Sequence, residues 1–288
     1  MSDSLEKSAS VVFREKIEFH EGILNPSEFA RNYDLRCYEP SEDMAPFVEH
    51  YFLSRRRPAY DADYVGNDVL SQPVVSLFFW PGPGGAFFQG PITGKRVLIA
   101  KNTPVYAGVQ FKPGGFHPFW RRKISELAEK TIPAGSVLPT VTDDYNEKLL
   151  AQEDDQQLLL TIETVLRSKQ PQPDRNIALV QQITDYIEGN NGVVTVAAVA
   201  DHFAVSERSL QHLFQTYVGV GVKWAIMRAR FLEVTKYARA QEKPDWVAIA
   251  AEFGYSDQPH FVNDFKRLVG QSPAQYLATY RASQAALG

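Results

Sequence analysis

The sequence predicts a two-domain α+β protein. An amino-terminal β-rich domain, barrel- or sandwich-like with flanking helices, precedes a carboxyl-terminal all-α domain built as a double helix-turn-helix. Three observations lead there. Short apolar runs in a Gly- and Pro-dense stretch fill the first half, helical stripes replace them after Asp143, and two similar helical units repeat near the carboxyl end. The 288 residues are room for about two domains at ~100–200 residues each.

From Pro73 to Pro118, 15 of 46 residues are Gly or Pro, a density that forbids long helices. Between these breakers lie Val74–Trp80, Ala86–Phe88, Val97–Ala100 and Val105–Phe111. Their β-branched and aromatic content bounded by turn residues predicts strands. The stretch Gly82-Pro83-Gly84-Gly85 lacks the Lys-Ser/Thr pair of a phosphate cradle and predicts a hairpin turn. Short helices are expected at Met44–Phe52 and Lys123–Lys130. A longer one spans about 144–168, where Leu158, Leu159, Ile162, Val165 and Leu166 form one apolar stripe. That stripe either lines the chain's own core or pairs two copies. Pro171 and Pro173 then stop the helix and stiffen a linker. The expected division is 1–170 for the β-rich domain, 171–174 for the linker and 175–288 for the helical domain.

Composition narrows the function classes. Hydrophobic residues at 44% and charged residues at 22% suit a globular chain. Thirty Lys/Arg against 34 Asp/Glu exclude an indiscriminate basic coat but leave room for a local nucleic-acid surface. Residues 175–288 hold 11 Lys/Arg and 10 Asp/Glu, so the helical domain is the less acidic one. One cysteine, Cys37, can form neither an internal disulfide nor a thiolate zinc site, and suits a reducing, cytoplasmic compartment. Met1–Ser10 lack a signal-peptide core, and no apolar run nears the ~18 residues of a membrane span. The six histidines, His20, His50, His117, His202, His212 and His260, show no pair at metal-ligand spacing. No metal, cofactor or catalytic residue is assigned. Phe78, Phe79, Trp80, Phe87, Phe88, Phe116, Phe119 and Trp120 could line an effector pocket, although aromatics at strand spacing usually fill a core.

The repeat carries the functional reading. Leu210, Phe214 and Gly219 return 51 residues later as Phe261, Phe265 and Gly270, while Val199-Ala200 and Phe203 return after 50 as Ile249-Ala250 and Phe253. Each copy reads as helix, tight turn, helix. Ala200 and Ala250 allow two helices to cross closely. Gly254 suits the left-handed turn, and Ala204 stands at the equivalent place. Thr195, Ser206, Asp245 and Asp257 are N-caps, a long helix covers about Val222–Arg239, and Ser272-Pro273 starts the last one.

On these motifs residues 178–280 resemble the DNA-binding region of AraC-type bacterial transcription regulators. The residues that match are Ala200, Ser206, Arg208, Leu210, Phe214, Gly219 and Arg230, then Ile249-Ala250, Gly254-Tyr255, Asp257, Phe261, Phe265-Lys266, Gly270, Ser272-Pro273 and Tyr276. The resemblance implies two units entering successive major grooves of double-stranded DNA, about 34 Å apart. It implies base contacts from Arg208, Ser209, Gln211 and His212, and from Gln258, His260, Val262 and Asn263. Arg can bond guanine twice, Gln or Asn adenine, and Val can touch a thymine methyl. Phosphate contacts fall to Thr195, Ser206, Lys223, Arg228, Lys266 and Arg267. Glu207, Pro259 and Asp264 depart from the expected pattern.

Residues 20–140 are similar to a sequence type found ahead of such readers. The similarity rests on Gly22-Ile23-Leu24-Asn25-Pro26, Tyr38-Glu39-Pro40-Ser41, Pro46-Phe47-Val48-Glu49-His50-Tyr51 and Gly108–Phe116. It implies a sensory or dimerising module. A small-molecule effector, RNA polymerase and a second copy of the chain stand open as partners. The competing readings are a small β-barrel enzyme with an accessory helical domain, which lacks an acid–base or metal constellation here, and a protein-interaction module, which has no need of outward Arg, Gln, His and Asn.

Overall fold

A computed structural model describes residues 12–16, 26–58, 61, 66–70, 72–99, 103–191 and 194–285. Met1–Ser10, His20, Gly22–Asn25 and Ala100 lie outside the described residues. The chain begins with β1 (Glu15–Lys16), α1 (Pro26–Asn32), β2 (Tyr33–Tyr38), β3 (Val48–Arg56), β4 (Gly66–Leu70), β5 (Ser76–Phe79), β6 (Ala86–Gln89), β7 (Lys95–Ile99) and β8 (Val105–Phe111). A four-residue helix α2 (His117–Trp120) and a 3-10 turn (Ile124–Leu127) lead to β9 (Thr131–Pro133), α3 (Asp143–Leu150) and α4 (Asp155–Arg167). Seven strands form one antiparallel sheet in the order β1-β2-β3-β8-β5-β6-β9, and β4 pairs with β7 apart from it. Among the described residues β1 and β9 do not pair with each other, so the sheet is open and not closed into a barrel.

Three sequence expectations change. Met44–Phe52 is a turn running into β3. Val48, His50, Tyr51, Phe52, Leu53 and Ser54 are all buried, because β3 is central and covered on both faces, and no alternation survives to mark a strand. Lys123–Lys130 holds only the 3-10 turn, bracketed by Arg121 and Glu129 at positive φ (57° and 60°). The helix expected at 144–168 is two helices, interrupted where the Asp154 carboxylate caps α4 by accepting from the Gln156 backbone N–H.

The alternation of the strands sorts side chains onto two faces. One face carries Leu53, Leu77, Phe79, Phe88, Val109 and Phe111 into a core with Phe116 and Phe119. Leu158, Leu159, Ile162, Val165 and Leu166 of α4 are consumed in the same core, which settles the stripe as internal packing. The other face gathers Phe52, Phe78 and Tyr106 around Phe29 of α1, with Trp80 and Phe87 partly buried beside them. The eight aromatics singled out above therefore divide between the two faces.

A buried carboxylate clips α4 to the sheet. Glu163 is fully buried and accepts from the Ser41 backbone N–H (2.9 Å), Ser41 Oγ (2.8 Å), Tyr51 Oη (3.0 Å) and the Arg167 guanidinium. Arg167 also grips Asp43, and its hydrogen bonds hold that carboxyl well below the usual range.

Six further helices follow: α5 (Arg175–Gly189), α6 (Val196–His202), α7 (Glu207–Tyr217), α8 (Val222–Ala240), α9 (Trp246–Glu252) and α10 (Gln258–Val269), with α11 (Pro273–Ala285) closing the described chain. No helix among the described residues is long and apolar enough to cross a membrane. Helix α5 straddles two cores: Ile177 packs with the sheet domain, while Val180, Ile183 and Ile187 pack with α6 to α8. The end of α7 seats directly on the sheet domain. Tyr217 lies on His117 (ring centroids 4.2 Å apart), accepts from Asn176 Nδ2 (2.9 Å) and donates to Asp174 (3.2 Å). Gly219, at φ +92°, passes so near that a Cβ would stand 2.8 Å from Ile124 Cγ2. Trp224 Nε1 donates to the Thr93 carbonyl (2.9 Å), and Gln181 Nε2 to that of Pro46 (3.0 Å).

Two outcomes are expected. Glu163→Ala leaves buried donors unmatched and should cost about 3 kcal/mol in urea unfolding, whereas Tyr51→Phe removes one donor and should cost about 1 kcal/mol. Burial lowers the proton affinity of His117, against an opposing pull from Asp174. The unfolded chain then binds more protons, so this contribution is complete above about pH 6.5 and is lost as pH falls below it. The melting temperature should drop on acidification, and His117→Phe should flatten part of that drop. An identical acid slope in the variant would remove His117 from the account.

Candidate nucleic-acid interface

The two helix pairs α6–α7 and α9–α10 are built by the same hydrogen bonds. In the first turn Val205 N–H bonds the Ala200 carbonyl (3.0 Å) and Ala204 N–H that of Asp201 (3.1 Å). In the second, Tyr255 N–H bonds Ala250 (2.9 Å) and Gly254 N–H bonds Ala251 (3.0 Å). These paired bonds define the Schellman ending of a helix, which needs one residue in the left-handed region. Gly254 adopts it at φ +79° without strain, and Ala204 adopts it at φ +52° despite its Cβ.

Every expected N-cap is made. Thr195 accepts from Ala198 N–H, Ser206 from Ser209 N–H, Asp245 from Val247 and Ala248, and Asp257 from His260. At α11 Ser272 Oγ accepts from Gln275 N–H while the Gln275 side chain accepts from Ser272 N–H, a reciprocal capping box. Leu210 and Phe214, and in the second unit Phe261 and Phe265, are fully buried. Helix α8 serves both cores, giving Val222, Ala225, Ile226 and Ala229 to one and Phe231, Leu232, Val234 and Ala238 to the other.

Packing on those inner faces turns the polar residues outward. Arg208, Ser209, Gln211 and His212 are exposed on α7, and the Gln211 amide lies near the α8 start, 3.3 Å from where a Gly221 Cβ would stand. Gln258, His260 and Asn263 are exposed on α10, while Val262 is half-buried against the second core. Thr195, Ser206, Lys223, Lys266 and Arg267 are exposed as well. The capping hydroxyls accept from the backbone through a lone pair and keep a proton to donate.

Arg228 is placed differently from expectation. Its side chain is 4% exposed and faces Glu188 of α5 at 3.6 Å. Helix α8 is wrapped by two cores, so this guanidinium is buried between α8 and α5 and not on an exposed face like the other expected phosphate contacts.

A cluster around Asp264 is the feature the sequence reading missed. Asp264 accepts from Arg267 Nη2 (2.9 Å) and Tyr255 Oη (3.3 Å), and its Oδ2 lies 3.5 Å from His260 Nε2. Burial, reinforced by this carboxylate, pushes the Tyr255 hydroxyl up to about 12, so it stays a donor. The spacings i,i+4 and i,i+3 on α10 were the available signal.

Comparison with known proteins places these features. Residues 199–279 match a family described as a helix-turn-helix domain, and residues 36–133 match a domain of unknown function, DUF6597. The arabinose operon regulatory protein of Escherichia coli is 27% identical over 136 residues, covering 46% of this chain and 45% of the relative. Its Salmonella typhimurium counterpart is 27% identical over 169 residues, 57% of each chain. The chain thus spans about half the length of the curated relatives it matches. Among solved structures, ToxT from Vibrio cholerae O395 aligns over 85% of this chain and 97% of its own, at 9% identity and a TM-score of 0.38. The chain thus matches a helix-turn-helix family over its carboxyl-terminal part and the domain of unknown function DUF6597 over its amino-terminal part.

Proposed function

We propose that the chain is a one-component transcription regulator that reads double-stranded DNA with α7 and α10. The observation that carries this is the bond-for-bond equivalence of the two turns, each presenting an exposed polar helix face. On α7 the base-reading set is Arg208, Ser209, Gln211 and His212, and on α10 it is Gln258, His260, Val262 and Asn263. Side chains of this chemistry discriminate base edges in the major groove. Thr195, Ser206, Lys223, Lys266 and Arg267 hold phosphates, without Arg228. The first unit carries an outward Arg in its first turn, Arg208, and the second does not, so the first supplies more of the affinity.

The β-rich domain, 1–170, acts in this reading as a sensor or pairing module and not as a catalyst, joined to 175–288 through 171–174. Its coupling to the reader runs through the Tyr217 and Trp224 contacts: a small-molecule effector that favours one seating of α7 over another shifts DNA affinity by that difference. A second copy of the chain would raise the effective concentration of the weaker reader.

Titrating the full chain against duplex DNA should give an affinity that falls steeply with salt, as counterion release requires. A site selected from a random pool should lose preference at one base pair in Arg208→Ala, by roughly 1–3 kcal/mol. Lys266→Ala should weaken all sequences alike and reduce the log–log salt slope by about 1. Arg228→Ala should lower stability and leave that slope unchanged. Salt-insensitive binding, or equal effects of Arg208→Ala and Lys266→Ala, would defeat the reading.

A further inference from the structure

We propose that Asp264 is a positioning residue for base selection by α10: it holds His260 with the Nε2–H turned inward, so that the exposed ring offers Nδ1 as an acceptor to base edges bearing an amino group. This rests on the DNA-reading function above.

The carboxylate stands on the outer half of the recognition helix yet is only 17% exposed, while its neighbours His260 and Arg267 are 60% and 67% exposed. Both of its oxygens are engaged. Oδ1 pairs with Arg267 Nη2 at 2.9 Å, and Oδ2 takes the Tyr255 hydroxyl at 3.3 Å and faces His260 Nε2 at 3.5 Å. Tyr255 is itself fixed: it is 9% exposed, and the Arg230 guanidinium lies 5.4 Å from its ring centroid. The His260 imidazole stands edge-on to the same ring, with centroids 5.3 Å apart and planes at 84°. The ring therefore lies between a phenol and a carboxylate.

A carboxylate oxygen attracts an N–H and repels a ring lone pair, so the imidazole nitrogen that faces it at 3.5 Å carries the hydrogen. In the neutral ring the other nitrogen then bears a lone pair. A major groove offers donors to such an acceptor at the adenine N6 and cytosine N4 amino groups. Guanine shows only its N7 and O6 acceptors there, and Nδ1 has no hydrogen to give them. The opposite tautomer would reverse this preference. Asp264 thereby acts on base choice without touching a base, and the carboxylate that departs from the expected pattern sets the chemistry of its neighbour.

The test uses the full-length chain labelled with 15N-histidine, at about pH 8, where an ordinary histidine is neutral. Long-range 1H–15N correlation reports the tautomer, and the His260 signal is the one missing from His260→Ala. The wild-type ring should be the Nε2–H form, and Asp264→Asn should shift it to a mixture or to Nδ1–H. A wild-type ring in the Nδ1–H form overturns the proposal without any variant, as does a tautomer unchanged in a folded Asp264→Asn. In sites selected from a random pool, the base pair that loses its preference in His260→Ala should present adenine or cytosine to the helix. Asp264→Asn should admit guanine there about tenfold more readily, the lower end of a single base contact, with preferences elsewhere kept. Guanine at that position in the wild-type site, or an unchanged preference in Asp264→Asn, overturns the proposal and leaves the regulator reading standing. Absence of any salt-dependent, sequence-selective binding by the wild-type chain sinks both.

Discussion

Helix α8 must satisfy two cores at once, and the arrangement of the carboxyl-terminal half follows from that demand. Its first two turns give Val222, Ala225 and Ile226 to the unit that contains α7, and its later turns give Phe231, Val234 and Ala238 to the unit that contains α10. The 19 residues contain neither Gly nor Pro, so nothing within the helix acts as a hinge. Each unit is too small to bury its own apolar faces, and the shared helix supplies the missing wall to both. The same demand leaves Arg228 buried on α8, where it faces the exposed Glu188 of α5.

The sheet domain meets this assembly at several places. The α7 end carries Tyr217 and, at the turn into α8, Gly219 close to Ile124, while Trp224 reaches the Thr93 carbonyl. Helix α5 belongs to both sides, with Ile177 in the sheet-domain core and Val180 onward in the core of the α6–α7 unit. The second unit meets the sheet domain as well, with α10 beside β7 and α11 beside α1.

Much of the carboxyl-terminal half was legible because its pattern is local and repeated. Small residues at the crossings, Ala200 and Ala250, and capping side chains three residues ahead of their partners each have one structural meaning, and the repeat doubles the signal. The amino-terminal half was legible only where strands lie between turn-formers, as at β5, β6 and β8. Strand β3 was hidden by being central: buried on both faces, Val48 to Ser54 offer no period to read. The break between α3 and α4 rests on one cap, Asp154, in a run of acidic and amide residues that helices also tolerate. In the candidate interface exposure followed the helical period, so Arg208, Gln211 and Asn263 fell where the pattern put them. The Asp264 cluster did not, since it depends on Tyr255, which comes from the turn and not from the helix.

The outer rim of the sheet has its own consequence. Strand β9 is three residues long and ends in Pro133, which sits opposite Phe87 and has no amide hydrogen to offer a further strand. Open sheets invite edge-to-edge growth, and brevity with proline is a known safeguard against it. On this side the chain is guarded against aggregation by strand addition, so copies that meet there must do so through side chains and not by extending the ladder.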